Sequence, residues 1–227
     1  MPSHLFIDAD DTLWENNVYF ERVLEEFLLL LDHPSLAAVE VRAVLDEIER
    51  VNNRVHGYGA ANFARNLRQC YERLSPRGIL AADVHCIAGF GDRLANHPIE
   101  MLEGVEETLA YLSGRHVLTL LTKGDPAEQE GKLRRSGLGG YFTRTLILRE
   151  KNTGSYRAIV GESGLGAEGC WMIGNSPKSD INPALEAGLG AVYIPHPHTW
   201  RLEDEQIRDG HGRLLVLDRF ADLRKHF

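Results

Sequence analysis

The chain has 227 residues, 43% hydrophobic and 26% charged, the composition of an ordinary globular protein with room for one large domain or a domain carrying an insertion. A formal net charge of -8 excludes chain-wide affinity for nucleic acid or anionic membrane, which are captured by clustered Lys and Arg, while leaving room for a small anion held locally. Cys70, Cys86 and Cys170 are widely spaced, with no CxxC, and suggest neither a disulfide framework nor a zinc knuckle.

The N-terminal stretch MPSHLFIDAD has no basic region ahead of a long apolar run, so no secretory signal is expected. The richest apolar run, FLLLL at 27 to 31, is far too short to span a bilayer. A reducing cytoplasm is the expected location.

In chain order, the first strand is HLFID at 4 to 8, and it runs into three carboxylates within four positions, Asp8, Asp10 and Asp11. Burial and mutual repulsion both oppose ionisation there, so either a cation or acid chemistry is expected. About a hundred residues then separate this strand from the next, where a βαβ unit needs roughly 30 in all. The excess reads as about four amphipathic helices. Their apolar faces are Val23, Leu24, Phe27, Leu28 and Leu31; Val44, Leu45, Ile48 and Val51; Phe63, Leu67, Cys70 and Leu74; and Val84, Ile87 and Leu94. LSPRGIL at 74 to 80 reads as a turn between them. The expected division is a core of residues 1–14 and 99–227 with an inserted helical domain at 15–98, placed to cover the acidic cluster and exclude water.

Further strands are expected at 116 to 122, 144 to 149, 170 to 174, 191 to 195 and 214 to 218. Helical patterns lie between most of them. One opens on Asp125, Pro126 and Glu128, which read as N-cap, first-turn proline and capping acid, and stops at Gly137; another is framed by Asn182-Pro183 and Gly188. Alternation of strand and helix implies an α/β fold, a doubly wound, Rossmann-like parallel sheet carrying the small helical bundle as an insertion. Ligands of such sheets sit beyond the C-terminal strand ends.

At those ends stand Asp8 and Asp10, able to hold a hard divalent cation, Thr122 with a hydroxyl for an anion, Lys151, and the polar loop GNSPKSD at 174 to 180. In this set, DADDTL at 8 to 13, Thr122 closing LTLLT, Lys151 in REKNTGSYR and the 174 to 180 loop, the sequence resembles the haloacid dehalogenase superfamily of phosphohydrolases. The insertion resembles the helical cap of the subclass whose cap lies between the first and second motifs.

The resemblance implies a Mg2+-dependent phosphatase acting on a small phosphorylated metabolite. Asp8 would attack phosphorus and form an aspartyl-phosphate, while Asp10 would protonate the leaving oxygen and later deprotonate the attacking water. Mg2+ would be held by Asp8, the Asp10 carbonyl and the loop residues Asn175 and Asp180; Lys151 would neutralise charge and Thr122 orient the phosphoryl oxygens. On this scheme Asp8 must be ionised and Asp10 protonated at neutral pH, the first kept low by the metal and the second raised by neighbouring negative charge. Dehalogenating members of the family lack the acid at the position of Asp10, because halide leaves without a proton.

Two positions depart from the family pattern. Asn175 stands where an Asp is usual, so the metal site carries one negative charge fewer. Lys123 stands where many relatives have Asn, and either offers charge to the substrate or points to solvent. Lys132 competes with Lys151 for the role of the motif lysine, but its helical position reads as a solvated face.

Substrate choice is expected near Glu15, Asn16, Asn17 and Tyr19, and in the loop 55 to 65 that carries His56 and Tyr58. His196 and His198 alternate after the fifth strand and lack the further Cys or His ligands of a zinc site. Asp11 is expected to bond nearby backbone. Trp14, Trp171 and Trp200 read as packing residues. The other readings the same residues allow are a sugar phosphomutase and a non-catalytic regulatory member. A monomer or homodimer is expected, with neither nucleic acid polymer nor membrane as partner.

Overall fold

The computed structural model describes residues 2–164, 166–208 and 212–227. The chain divides into two compact units, Met1–Asn17 with Ile99–Phe227, and Val18–Pro98.

In the first unit, six strands among the described residues form one sheet: β1 (His4–Ile7), β2 (Val117–Lys123), β3 (Arg144–Leu148), β4 (Cys170–Gly174), β5 (Gly190–Tyr193) and β6 (Leu214–Val216). All pairings are parallel and the order is β3-β2-β1-β4-β5-β6, so the chain winds out in one direction, then returns through β1 to the other. The reversal point lies between β1 and its neighbours, which is where such sheets place their ligands.

The burial of β1 explains its apolar run. Leu5 and Ile7 pack on one face with Val105, Leu109 and Leu112 of α5 (Val105–Ser113), while Phe6 packs on the opposite face with Tyr156 and Ile159 of α7 (Thr153–Ser163). Side chains of period two therefore enter two separate cores, and no polar residue between them is tolerated. α6 (Pro126–Ser136) and the short α8 (Asn182–Glu186) complete the layers. Asp125 caps α6 by accepting from the Glu128 amide at 3.0 Å, and Gly137 ends it in the left-handed region at φ 72°.

The second unit consists of α1 (Asn17–Leu31), which begins in the last residue of the first unit, α2 (Ala38–His56), α3 (Ala60–Leu74) and α4 (Ala81–Ala95). Val23, Leu24, Phe27, Leu45, Ile48, Phe63, Leu67, Cys70, Ile87 and Leu94 form its core. Val51 does not join them and is 59% exposed; the buried stripe of α2 turns instead through Asp46 and Glu49, which the hydropathy pattern alone places outside. Among the described residues, no helix is long and apolar enough to cross a membrane.

Candidate active site

Beyond β1 the backbone makes one more sheet bond, Asp8 N to Ile173 O at 2.9 Å, and then folds into a tight turn in which the amides of Thr12 and Leu13 both bond the Ala9 carbonyl. Asp11 occupies the turn at φ 58°, a conformation that Asp tolerates because its short carboxylate can bond locally. Here it accepts from the amides of Asn16 and Asn17, at 2.8 and 3.0 Å. Burial raises its pKa to about 8 against those two bonds, with the charges of Asp10 and Glu15 adding to the rise.

The turn leaves Asp8 buried at the sheet's C-terminal edge, 7% exposed. Its Oδ1 accepts from Lys151 Nζ and its Oδ2 from the Thr12 hydroxyl at 3.1 Å. Lys151 is delivered from the end of β3 and fixed by the start of α7, where Asn152 accepts from the Ser155 amide and Ser155 Oγ accepts in return from the Asn152 amide. The same ammonium donates to Asp180 Oδ1 at 2.7 Å, while Asp180 Oδ2 accepts from the Ser176 amide at 3.0 Å. Lys151 therefore bridges two buried carboxylates. Burial works against its charge, but Asp180 and Asp8 outweigh it and raise its pKa. Asp8 itself is raised to about 7, by burial first and the Asp180 charge second, against the pull of Lys151.

Asn175 follows β4. Its Oδ1 lies 3.3 Å from the Thr12 hydroxyl that also serves Asp8, and its Nδ2 donates to Thr199 Oγ1 at 3.0 Å, which sets the amide with its oxygen toward Asp8. Asp8 Oδ2 and Asn175 Oδ1 are hard oxygen donors gathered at one hydroxyl. Asp8 and Asp180 set two buried carboxylates against the single ammonium of Lys151. The donor set and the charge both fit a hard divalent cation.

Asp10 is held quite differently. Its Oδ1 accepts from Trp14 Nε1 and Lys132 Nζ, both at 2.8 Å, and its Oδ2 from Gln129 Nε2 at 2.9 Å and again from Lys132 Nζ at 2.8 Å. Burial would raise its pKa, but the charge and hydrogen bond of Lys132, with the Gln129 and Trp14 donors, lower it overall. One expectation is thereby corrected. Lys132 is not on a solvated face of α6; it is 1% exposed and spends itself on Asp10 and Asn16 Oδ1. Among the side chains alone, burial raises Asp8 while three donors making four bonds lower Asp10; the expected order belongs to the site with metal and phosphate both bound.

Thr122 and Lys123 end β2, Thr122 buried to 2% beside this cluster's strand. Lys123 does not point to solvent: its Nζ donates to Glu203 Oε1 at 2.7 Å and Ser179 Oγ at 2.8 Å. Glu203 is a residue that the sequence pattern does not single out. It is buried, its Oε2 accepts from Ser176 Oγ at 2.7 Å, and Ser176 Oγ accepts from the Ser179 amide. Burial would raise the Glu203 pKa, but Lys123 and the two serines lower it. Tyr156 OH donates to the Ser179 carbonyl, closing the network around the 174 to 180 loop.

Of the residues expected to touch substrate, Asn17 is buried and donates to the His198 carbonyl at 2.9 Å. His56 and Tyr58 lie in the helical unit, His56 as the exposed last residue of α2 with Arg65 Nη1 at 3.5 Å, and Tyr58 half-buried in the turn before α3.

His196 gains the carboxylate neighbours that its sequence surroundings lack. Asp11, Glu15 and His196 place three candidate metal-ligand atoms within 4.8 Å of one another. Nδ1 accepts from the His198 amide at 3.2 Å, and Nε2 lies 3.3 Å from Glu15 Oε2, while burial lowers the His196 pKa against the pull of Glu15. That pattern is a neutral imidazole bracing two loops.

Comparison with known proteins follows the same lines. The family model described as haloacid dehalogenase-like hydrolase matches residues 2–188. A haloacid dehalogenase-like family hydrolase from Xanthomonas campestris superposes with a TM-score of 0.85 at 27% identity, covering 99% of this chain and 94% of the other. A 2-haloacid dehalogenase from Pseudomonas syringae shares the fold, with a TM-score of 0.65 at 18% identity over 99% and 97% of the two chains. A phosphoserine phosphatase from Thermus thermophilus is 34% identical over 82 residues, 34% of this chain and 33% of that relative, so the match spans about a third of its length. The sheet, the buried Asp8, Lys151 and Asp180, and a family match over most of the chain lead to one conclusion: the chain belongs to the haloacid dehalogenase-like hydrolases.

Proposed function

We propose that the protein is a metal-dependent phosphatase that hydrolyses a small phosphomonoester through an aspartyl-phosphate on Asp8. The observation that carries this reading is the second carboxylate, Asp10, standing two residues beyond Asp8; its donors by themselves favour the ionised form, and the negative charge of a bound phosphate would raise it toward the proton-bearing form. A hydrolase expelling halide has no leaving oxygen to protonate, whereas a phosphomonoesterase does. The local likeness to a phosphoserine phosphatase points the same way.

In the first step an Asp8 oxygen bonds to phosphorus, the bond from phosphorus to the ester oxygen breaks, and that oxygen takes a proton from Asp10 to leave as an alcohol. In the second, water bonds to phosphorus, the bond to Asp8 breaks, and the water proton passes to Asp10, restoring both acids. Lys151 stands beside Asp8 to offset charge on the transferring group, with the Thr122 hydroxyl available to its oxygens. Asp8 Oδ2, the Asp10 carbonyl and Asn175 Oδ1 would hold Mg2+, which when bound supplies positive charge to the phosphoryl oxygens. Asp180, with both oxygens engaged by Lys151 and the Ser176 amide, holds the lysine and the loop in place.

The test is phosphate release from a panel of sugar phosphates, nucleotides, phosphoserine and short-chain phosphates, with a 2-haloacid included and halide measured. Wild-type protein should release phosphate only with Mg2+, and Asp8→Asn should abolish it. Activity that persisted in Asp8→Asn or in excess chelator, or halide release in place of phosphate, would defeat the reading.

A further inference from the structure

We propose that Gln129 and Lys132 of α6 are positioning residues for Asp10, holding its carboxylate with Trp14 in the orientation from which it exchanges a proton with the leaving oxygen. This inference rests on the phosphatase reading above.

The two residues are three apart and so share one face of α6. That face is the buried one: the inward residues of the helix are Gln129, Gly131 and Lys132, an almost wholly polar set. Burying an ammonium costs several kcal/mol unless it is fully paired, and an apolar side chain of similar volume serves packing at least as well. Lys132 is fully paired, with both Asp10 oxygens at 2.8 Å and Asn16 Oδ1 at 2.9 Å, and Glu128 Oε1 stands 3.8 Å away. Its side chain is 2% exposed, whereas that of Asp10 keeps 21%. The carboxylate is thus held at both oxygens, each accepting two bonds, and still keeps about a fifth of its surface exposed.

The grip fixes direction as well as place. Trp14 and Gln129 bond different oxygens of Asp10 and Lys132 bonds both, so the carboxylate cannot rotate without losing donors. The neighbouring backbone is shaped to allow it. Gly124, directly after Thr122 and Lys123, has φ +147°, and a Cβ there would meet Gln129 Nε2 at 2.9 Å and Cγ at 3.2 Å. An absent side chain at position 124 gives the Gln129 amide its path to Asp10.

Proton transfer by a placed acid is worth about 10²–10⁴ in rate, and only where the leaving group needs the proton. The experiment follows from that selectivity. Release of alcohol or phenol in a single turnover is measured with Mg2+ present, across a series from p-nitrophenyl phosphate to simple alkyl phosphates, for wild type, Lys132→Met, Gln129→Met and Lys132→Arg. The two Met variants should lose about 10–100-fold on alkyl phosphates and less than about 3-fold on p-nitrophenyl phosphate, steepening the dependence on leaving group. Lys132→Arg should recover part of the loss.

Gln129→Met leaves no charge unpaired and carries the test if Lys132→Met does not fold, as judged by circular dichroism and melting. Equal losses along the series, or no loss in a folded variant, would overturn the assignment while leaving the phosphatase reading intact. A wild-type protein inactive on every member would remove both.

Discussion

Gly174 and Asp180 are in such close contact that a Cβ on the glycine would meet Asp180 Oδ2 at 2.2 Å and its Cγ at 2.5 Å. The backbone at the end of β4 thus forms one wall of the pocket that holds the Asp180 carboxylate, 0% exposed and bonded to Lys151. Gly174→Ala should expel that carboxylate, leave Lys151 with one partner, and cost about 1–3 kcal/mol of stability through overpacking alone. Denaturant unfolding measures the first effect. Phosphate release should fall much further than the stability loss explains, because Lys151 then sits against Asp8 alone.

Asn175→Asp tests the charge of the cation site. The amide oxygen already faces Asp8 and the Thr12 hydroxyl, and Thr199 Oγ1 can donate to a carboxylate as readily as it accepts from the amide. One added negative charge should tighten Mg2+ binding by about tenfold, or about 1.4 kcal/mol, as measured by titration calorimetry. An unchanged affinity would remove Asn175 from the ligand set.

Strand positions were legible because strands buried on both faces read as short, mainly apolar runs, and the convergence of Asp8, Thr122, Lys151 and Asp180 follows from parallel topology once those strands are placed. Lys132 and Gln129 were not legible for a definite reason. Hydrophobic periodicity finds the inward face of a helix only where that face meets an apolar core, and the inward face of α6 meets Asp10. Glu203 and Thr199 escaped because they lie in the irregular segment after β5, which has no period to read. Glu15 and His196 are brought together only by the sheet, 181 positions apart in the chain.

Glu203 should be worth far more to the site than an ordinary surface acid. It accepts from Lys123 at 2.7 Å and Ser176 at 2.7 Å, and so ties the end of β2 to the loop after β4. Glu203→Gln leaves Lys123 with Ser179 and the more exposed Glu150, 3.6 Å away. Breaking a buried pair from one side costs about 3–5 kcal/mol, and the neighbouring acid should bring the loss to the low end of that range. Lys123→Met combined with Glu203→Gln should be less destabilising than the sum of the two, which a double-mutant cycle measures.

In the helical unit, Glu49 predicts a dependence of stability on pH. It is 3% exposed, and among the described residues no donor bonds its Oε2. Arg42, the cation that acts most strongly on it, is committed to both oxygens of Glu21 and to Asp46 Oδ1. Burial first, with the charges of Asp46 and Glu21, raises Glu49 from 4.5 to about 7 against the pull of Arg42 and Arg50. Below pH 4.5 both folded and unfolded chains hold the proton. Between there and pH 7 the unfolded chain has lost it while the folded one keeps it, so stability falls as pH rises and levels off above pH 7. The full contribution is about 3 kcal/mol. Glu49→Gln cannot titrate, so its stability relative to wild type should be near zero at low pH and grow by about that amount toward pH 8. Hydrogen exchange of the α2 amides at pH 5 and pH 8 reads the difference within this unit, and a gap between the two proteins that stayed constant with pH would show that Glu49 is ionised throughout.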